Sequence, residues 1–253
     1  MASRRGEIQV DVVDGLGWIT IARPEKKNAL TIEMWCALPG ALRSLADRNG
    51  VVGVVLRGQD GNFGAGADLE DVLAATAGAD EAEAYCTDVV RAILALATTP
   101  LPTLALLEGV AAGGAAELAI ACDLRFADPG SSLTFPFARL GVVPDRFTLG
   151  RLVALVGAST ARRVVFTGES IAASRALGLG LVDEVVAPMG LDAAVSAWAT
   201  TLGKGSRQAR ADMKALFLEG EAVRDIASLI GPMIDSFVSG DVRAAALRFL
   251  GRA

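Results

Sequence analysis

A single glutamate, Glu117, sits just past the pair Gly113-Gly114 in the apolar stretch Leu104–Asp123. The stretch reads as a strand, a glycine-rich turn and a helix, with Glu117 in the first turn of that helix. Backbone N–H groups at a helix start point outward with partial positive charge, so they can hold a developing oxyanion. A carboxyl group in apolar surroundings binds its proton more tightly, which suits an acid or base near neutral pH. An oxyanion donor three residues from such a carboxyl is a minimal site for chemistry beside a carbonyl. A plainer reading stands next to it: a Glu in the first turn is favoured by the helix dipole alone, by about 0.3–1 kcal/mol.

Composition narrows the chemistry. The 253 residues contain no histidine, which removes Ser-His-Asp and Cys-His catalysis, histidine-held metals and imidazole acid–base work. No Gly-x-Ser-x-Gly elbow and no phosphate-binding Gly-Lys-Ser/Thr loop occurs, since Gly203-Lys204 is followed by Gly205. Carboxylates and backbone amides are left to carry any reaction, and no metal site is expected. A net charge of −5 speaks against nucleic-acid binding. Cys36, Cys86 and Cys122 lack CxxC spacing and point to a reducing, cytoplasmic setting without disulfides or zinc. The strand that follows the N-terminus is too short for a signal-peptide core. No membrane span is expected either, because Glu108, Glu117 and the glycine pair interrupt the longest apolar run.

The elements that position these groups follow from patterning. Residues 7–13 and 18–22 read as strands joined at Asp14-Gly15, a hairpin signal. A helix is expected over 32–47, a strand buried on both faces over Val51–Arg57, and a glycine-rich loop over Gly58–Asp68 leading into a short helix. Residues 75–81, small and polar, read as a mobile loop, and a helix over 82–97 leads on to a strand over 103–108. This alternation predicts an α/β core with βαβ crossovers. From 191 onward only helical periodicity remains, with apolar residues from Met213 to Phe249 at three- and four-residue spacing. The chain thus divides into a core over 1–190 and a helical segment over 191–253 that covers the core or a neighbouring subunit.

Five blocks stand in a telling order: Arg23-Pro-Glu-Lys-Lys-Asn-Ala-Leu30, Phe63-Gly-Ala-Gly-Ala-Asp-Leu69, Gly109–Asp123, Gly141–Gly157, and Phe166-Thr-Gly-Glu169 with Gly180-Leu-Val-Asp183. Together they resemble the crotonase superfamily of enoyl-CoA hydratases and isomerases, over nearly the whole chain. The resemblance implies a crotonase-like α/β spiral of ββα units. It implies C-terminal helices that pack in a homotrimer or a dimer of trimers. It implies an acyl-CoA thioester as partner, with CoA arriving as part of the substrate and no separate cofactor. By motif position, Ala67 and Gly114 would hold the thioester oxygen, an arrangement that stabilises enolate-like charge. Ala29, Ala65, Asp68, Leu69 and their neighbours Asn28, Leu30 and Glu70 would line the CoA or acyl moiety. Arg23, Lys26 or Lys27 would meet its phosphates, with ordinary solvated surface as the other reading. Glu117 matches one of the two hydratase glutamates.

The second hydratase glutamate lies in a Gln-Pro-Glu pattern, and here Thr134-Phe-Pro-Phe137 puts Phe137 in its place. Phenylalanine neither accepts a hydrogen bond nor moves a proton. Double-bond isomerisation is therefore expected over hydration. Phe135, Phe137 and Phe147 either pack the core or narrow the acyl pocket. Asp145 falls eight residues past Phe137, a spacing at which some members of the superfamily carry a catalytic aspartate. Because it follows Pro144 and precedes a helical pattern, it reads equally as an N-cap. Cys122 reads as a small core residue. The alternative function is a non-catalytic acyl-CoA-binding protein on the same fold, for which Glu117 would serve no purpose.

Overall fold

Asp14 and Gly15 both take positive φ, 51° and 77°, and fold β1 (Glu7–Val13) back antiparallel on β2 (Leu16–Ala22). This hairpin opens the computed structural model, which describes residues 6–220 and 225–252; residues 1–5, 221–224 and 253 of the two expected segments lie outside the described residues. The chain continues through α1 (Ile32–Ala46), β3 (Gly53–Gly58), α2 (Leu69–Ala75), α3 (Ala79–Thr98), β4 (Thr103–Leu107), β5 (Val110–Ala112), α4 (Gly114–Ala121) and β6 (Leu124–Ala127). Then come β7 (Ser132–Thr134), α5 (Phe137–Leu140), α6 (Arg146–Val156), α7 (Ala158–Thr167), β8 (Ser170–Ala172), α8 (Ala173–Leu179) and β9 (Glu184–Val185). The helices α9 (Leu191–Gly203), α10 (Arg207–Gly220), α11 (Ile226–Val238) and α12 (Asp241–Phe249) follow.

Six strands form one sheet in the order β1-β2-β3-β4-β6-β9, and β5-β7-β8 form a second. Beyond the first hairpin every pair in the larger sheet is parallel, as short strands separated by crossover helices require. A parallel sheet must be covered on both faces, and all residues of β4 are buried. One face packs against α1 and α4, with α3 and, behind it, α11 completing the main core. On the other, Leu16, Val55, Leu104, Leu106 and Phe126 meet Leu191, Val195 and Ala199 of α9. Arg125, 1% exposed, pins β9 to β6 through Asp183 at 2.6 Å.

The loop expected over 75–81 is shorter than that. Helix α2 ends at Ala75 and α3 begins at Ala79, so residues 76–78 alone connect them. Asp80 and Glu81 lie in the first turn of α3, where acidic side chains favour the helix dipole; they mark a helix start and not a turn. The C-terminal helices divide their apolar residues. Leu229, Ile230, Met233 and Phe237 of α11 are buried, whereas Met213, Leu216 and Phe217 of α10 stay exposed. Lys214 ties α10 to the start of β6 through Asp123 at 2.7 Å. Among the described residues no helix is long and apolar enough to cross a membrane, and no cluster of side chains suited to a metal ion occurs.

Candidate active site

Helix α4 begins on glycine because a side chain there has no room. A Cβ added to Gly114 would lie 2.8 Å from Cζ2 of Trp35, so the first turn of α4 lies tight against the indole ring. The N–H of Gly114 precedes any helical acceptor, and among the described residues it donates no hydrogen bond.

The loop after β3 brings a second free amide to the same place. Gly64 N–H donates to Val110 O and Ala112 N–H to Gly64 O, both at 2.9 Å, which fastens the loop to β5. Leu30 N–H donates to Gly66 O and Asp68 N–H to Leu30 O, both at 2.8 Å, which fastens it to the preceding turn. This pairing leaves the N–H of Ala67 without an acceptor among the described residues. Gly66 takes φ 101°, and a Cβ on it would stand 2.8 Å from Ala112 O and 3.5 Å from the Gly114 nitrogen. Only glycine permits this approach, and it sets the Ala67 peptide beside the Gly114 amide.

Buried polar groups hold the loop in place. Asn28 is fully buried; its Oδ1 accepts from the Arg23 amide at 3.0 Å, and its Nδ2 donates to Gln59 O and Asn62 O. Asp68 caps α2 and pairs with Arg23 at 2.6 Å. Burial alone would raise the Asp68 carboxyl, but the Arg23 bond and the α2 amides outweigh it and hold it below its ordinary range.

A cavity of about 280 Å³ opens in front of the two amides. Ala65, Ala67, Leu69, Gly114, Glu117 and Phe137 all line it. Ala29 and Asp68, expected to line the CoA or acyl moiety, do not; Ala29 O and the Asp68 carboxylate are both taken by Arg23. Arg23 is thereby committed within the fold and not to a phosphate, whereas Lys26 and Lys27 are exposed. A second cavity, about 330 Å³, lies beside α10, where Lys214 and Asp123 already satisfy one another.

Glu117 is 5% exposed and lines the cavity. Its carboxyl is pushed up to about 8, first by burial and then by the neighbouring Asp145 charge, while the Thr148 hydroxyl works in the opposite direction. Asp145 itself does not line the cavity. It is 1% exposed and caps α6, accepting from the Thr148 amide at 3.0 Å. Of its two readings, N-cap and second acid, the structure shows the cap: Pro144 and the helical pattern after it set the carboxyl at the α6 N-terminus. Of the three phenylalanines, Phe137 alone lines the cavity, backed by Phe135 with ring centroids 6.1 Å apart, while Phe147 packs in the core. Cys122 is buried, and burial pushes its thiol up to about 12, as befits a small core residue.

The far wall was not readable as such. Tyr85 and Val89 of α3, Met233 and Phe237 of α11, and Val242 and Ala246 of α12 close the cavity opposite the amides. The apolar period of α11 and α12 was a signal for burial, but not for burial over a cavity. Tyr85, the single tyrosine of the chain, packs on Phe237 at 5.4 Å, and burial raises its phenol far enough to keep it neutral. The resulting arrangement is a buried carboxyl and two unused amides facing one largely apolar space. Chemically, it can stabilise negative charge on a carbonyl oxygen while a proton moves at a neighbouring carbon.

A family model described as enoyl-CoA hydratase/isomerase matches residues 11–227. A "probable enoyl-CoA hydratase" of Mycobacterium avium is 37% identical over 203 residues, 79% of this chain and 77% of that one. A protein of the same description from Mycobacterium tuberculosis is 34% identical over 79% of this chain and 76% of its own. Among solved structures, an enoyl-CoA hydratase/isomerase from Xanthobacter autotrophicus Py2 gives a TM-score of 0.86 at 28% identity, over 97% of this chain and 94% of that one. An enoyl-CoA hydratase from Bacillus halodurans gives 0.87 at 23% identity, over 95% and 99%, a likeness of fold. The chain has the crotonase fold and belongs to the enoyl-CoA hydratase/isomerase family.

Proposed function

We propose that the protein is an acyl-CoA enzyme that moves a proton at a thioester enolate, shifting a carbon–carbon double bond in preference to adding water. The thioester oxygen sits between the amides of Ala67 and Gly114, which stabilise the charge that develops on it. Ionised Glu117 takes a proton from C2, leaving a dienolate, and returns it at C4. No separate cofactor takes part; CoA enters with the substrate. The observation that carries this reading is that, among the described residues, Glu117 is the one carboxyl lining the cavity, with an aromatic ring at Phe137. Hydration in this family needs two carboxylates to grip one water, and Phe137 offers no such grip.

The test is product analysis on a panel of 2-enoyl-, 3-enoyl- and dienoyl-CoA esters. The native chain is expected to move the double bond with no gain in mass, and Phe137→Glu to gain water addition. Water addition by the native chain overturns the preference for isomerisation. Esters that raise the melting temperature without being converted establish a binding protein in place of an enzyme.

The proposal extends to the assembly, a homotrimer or dimer of trimers in the cytoplasm. The exposed row Met213, Leu216 and Phe217 on α10 supports a covered surface, and the free thiols suit a reducing compartment. Sedimentation of the purified chain is expected to give three or six copies; a monomer contradicts this.

A further inference from the structure

We propose that Tyr85 selects the acyl chain: its hydroxyl donates to an uncharged oxygen, a hydroxyl or carbonyl carried beyond the thioester. The substrate is then an oxygen-bearing acyl-CoA ester and not a plain hydrocarbon one. This rests on the reading of the cavity as an acyl-CoA site. Tyr85 is 7% exposed and lines the cavity on the wall that α3 shares with α11 and α12. Phe237 fixes its ring at 5.4 Å, and Val89, one turn further along α3, continues the same wall. The Tyr85 hydroxyl makes no hydrogen bond among the described residues, yet its oxygen is not sealed in the core as those of Thr31 and Thr99 are. A buried phenol ordinarily finds an acceptor.

Among the described residues no protein group supplies that acceptor. Tyr85 also borders a shallow groove between α2 and α3, but the Asp71 carboxylate there accepts from the Ile32 amide at 2.7 Å and not from the phenol. Inside the cavity its neighbours Val72, Val89, Met233 and Phe237 are apolar. Burial first, and then the Asp71 carboxyl, keep the phenol protonated and therefore a donor. A donor in such a wall is satisfied by water only until an acyl chain displaces the water. A hydrocarbon chain then leaves the O–H unpaired, whereas an oxygen at that point pairs it, and a site of this kind discriminates more sharply than apolar shape does. The oxygen is uncharged because the one cation lining the cavity, Arg139, belongs to α5 and is exposed. A carboxylate held at Tyr85 would be buried among apolar side chains, at a large desolvation cost.

The experiment is calorimetric binding of saturated acyl-CoA esters to the full chain and to Tyr85→Phe. The esters are compared at equal length: a plain chain against chains that carry one hydroxyl, moved carbon by carbon from C5 outward. Saturated esters have no double bond to shift, so the readout does not depend on turnover. The native chain is expected to bind one hydroxylated ester about 10–100-fold more tightly than the plain one. Tyr85→Phe is expected to lose that preference and to bind the plain ester at least as tightly as the native chain does. Because the hydroxyl bonds nothing in the fold, the variant is expected to keep the native melting temperature. A native chain that binds the plain ester as well as every hydroxylated one overturns the proposal, and so does a preference that survives in Tyr85→Phe. A gain confined to a carboxylate-tailed ester, lost in Arg139→Gln and kept in Tyr85→Phe, overturns it in favour of Arg139. Selective binding without turnover of enoyl esters rejects the enzyme reading alone, and turnover without selectivity rejects this inference alone. Failure of every CoA ester to bind rejects both.

Discussion

Glu117→Gln is expected to lower turnover of enoyl-CoA esters by about 10²–10⁴-fold, the usual contribution of a positioned acid or base, and to stabilise the protein. The two effects share one cause. Glu117 keeps its proton in the folded chain up to about pH 8, whereas in the unfolded chain it ionises near 4.5. Below 4.5 both states carry the proton and the group is neutral to stability. As pH rises from there to about 8 the unfolded state gains by releasing its proton and the folded state does not, so stability is lost. At pH 7 the cost amounts to as much as about 3 kcal/mol, which glutamine escapes. Denaturant unfolding of both chains at pH 5 and pH 8 checks this: the variant's advantage must widen with pH. An advantage that narrows with pH would mean that Glu117 is ionised in the folded protein.

Ala67→Pro is expected to lower kcat by about 10²–10³-fold, the cost of one oxyanion-hole donor, with a melting temperature close to the native one. The amide of Ala67 donates to no acceptor among the described residues, so its removal breaks no bond of the fold. Its neighbours Gly66 and Asp68 carry the bonds that hold the loop. Ala67→Gly keeps the N–H and is expected to lose far less, which separates the amide from the side chain. Equal losses in the two variants would locate the oxyanion donors elsewhere.

The part of the cavity around Glu117 was legible in the sequence because it is local. Gly113, Gly114 and Glu117 lie within one turn, whereas Ala67 came only from the resemblance of Phe63–Leu69 to the family motif. The parallel sheet was legible for the same reason, since apolar runs alternate with helical ones. The far wall was not. Helical periodicity shows that Met233 and Phe237 are buried but not what they cover, and their partner Tyr85 lies on a helix far away in the chain. Arg23 and Asp68 defeated local reading too. Arg23 reads as a phosphate ligand or a solvated charge and Asp68 as a residue lining the CoA or acyl moiety, and only the fold of the intervening loop brings them to 2.6 Å. Asp145 was ambiguous because capping and catalysis ask for the same side chain at the same place; of the two, the cap is seen, through the Thr148 amide.

Deuterium exchange tests the central claim most directly. The native chain and Glu117→Gln are incubated with a 3-enoyl-CoA ester in D₂O, and label in the recovered ester is followed by mass spectrometry. Glu117 moving a proton at an enolate held by Ala67 and Gly114 predicts label at C2 and C4 with the native chain and almost none with the variant. Equal uptake by both chains contradicts it, and would assign the proton transfer to another group.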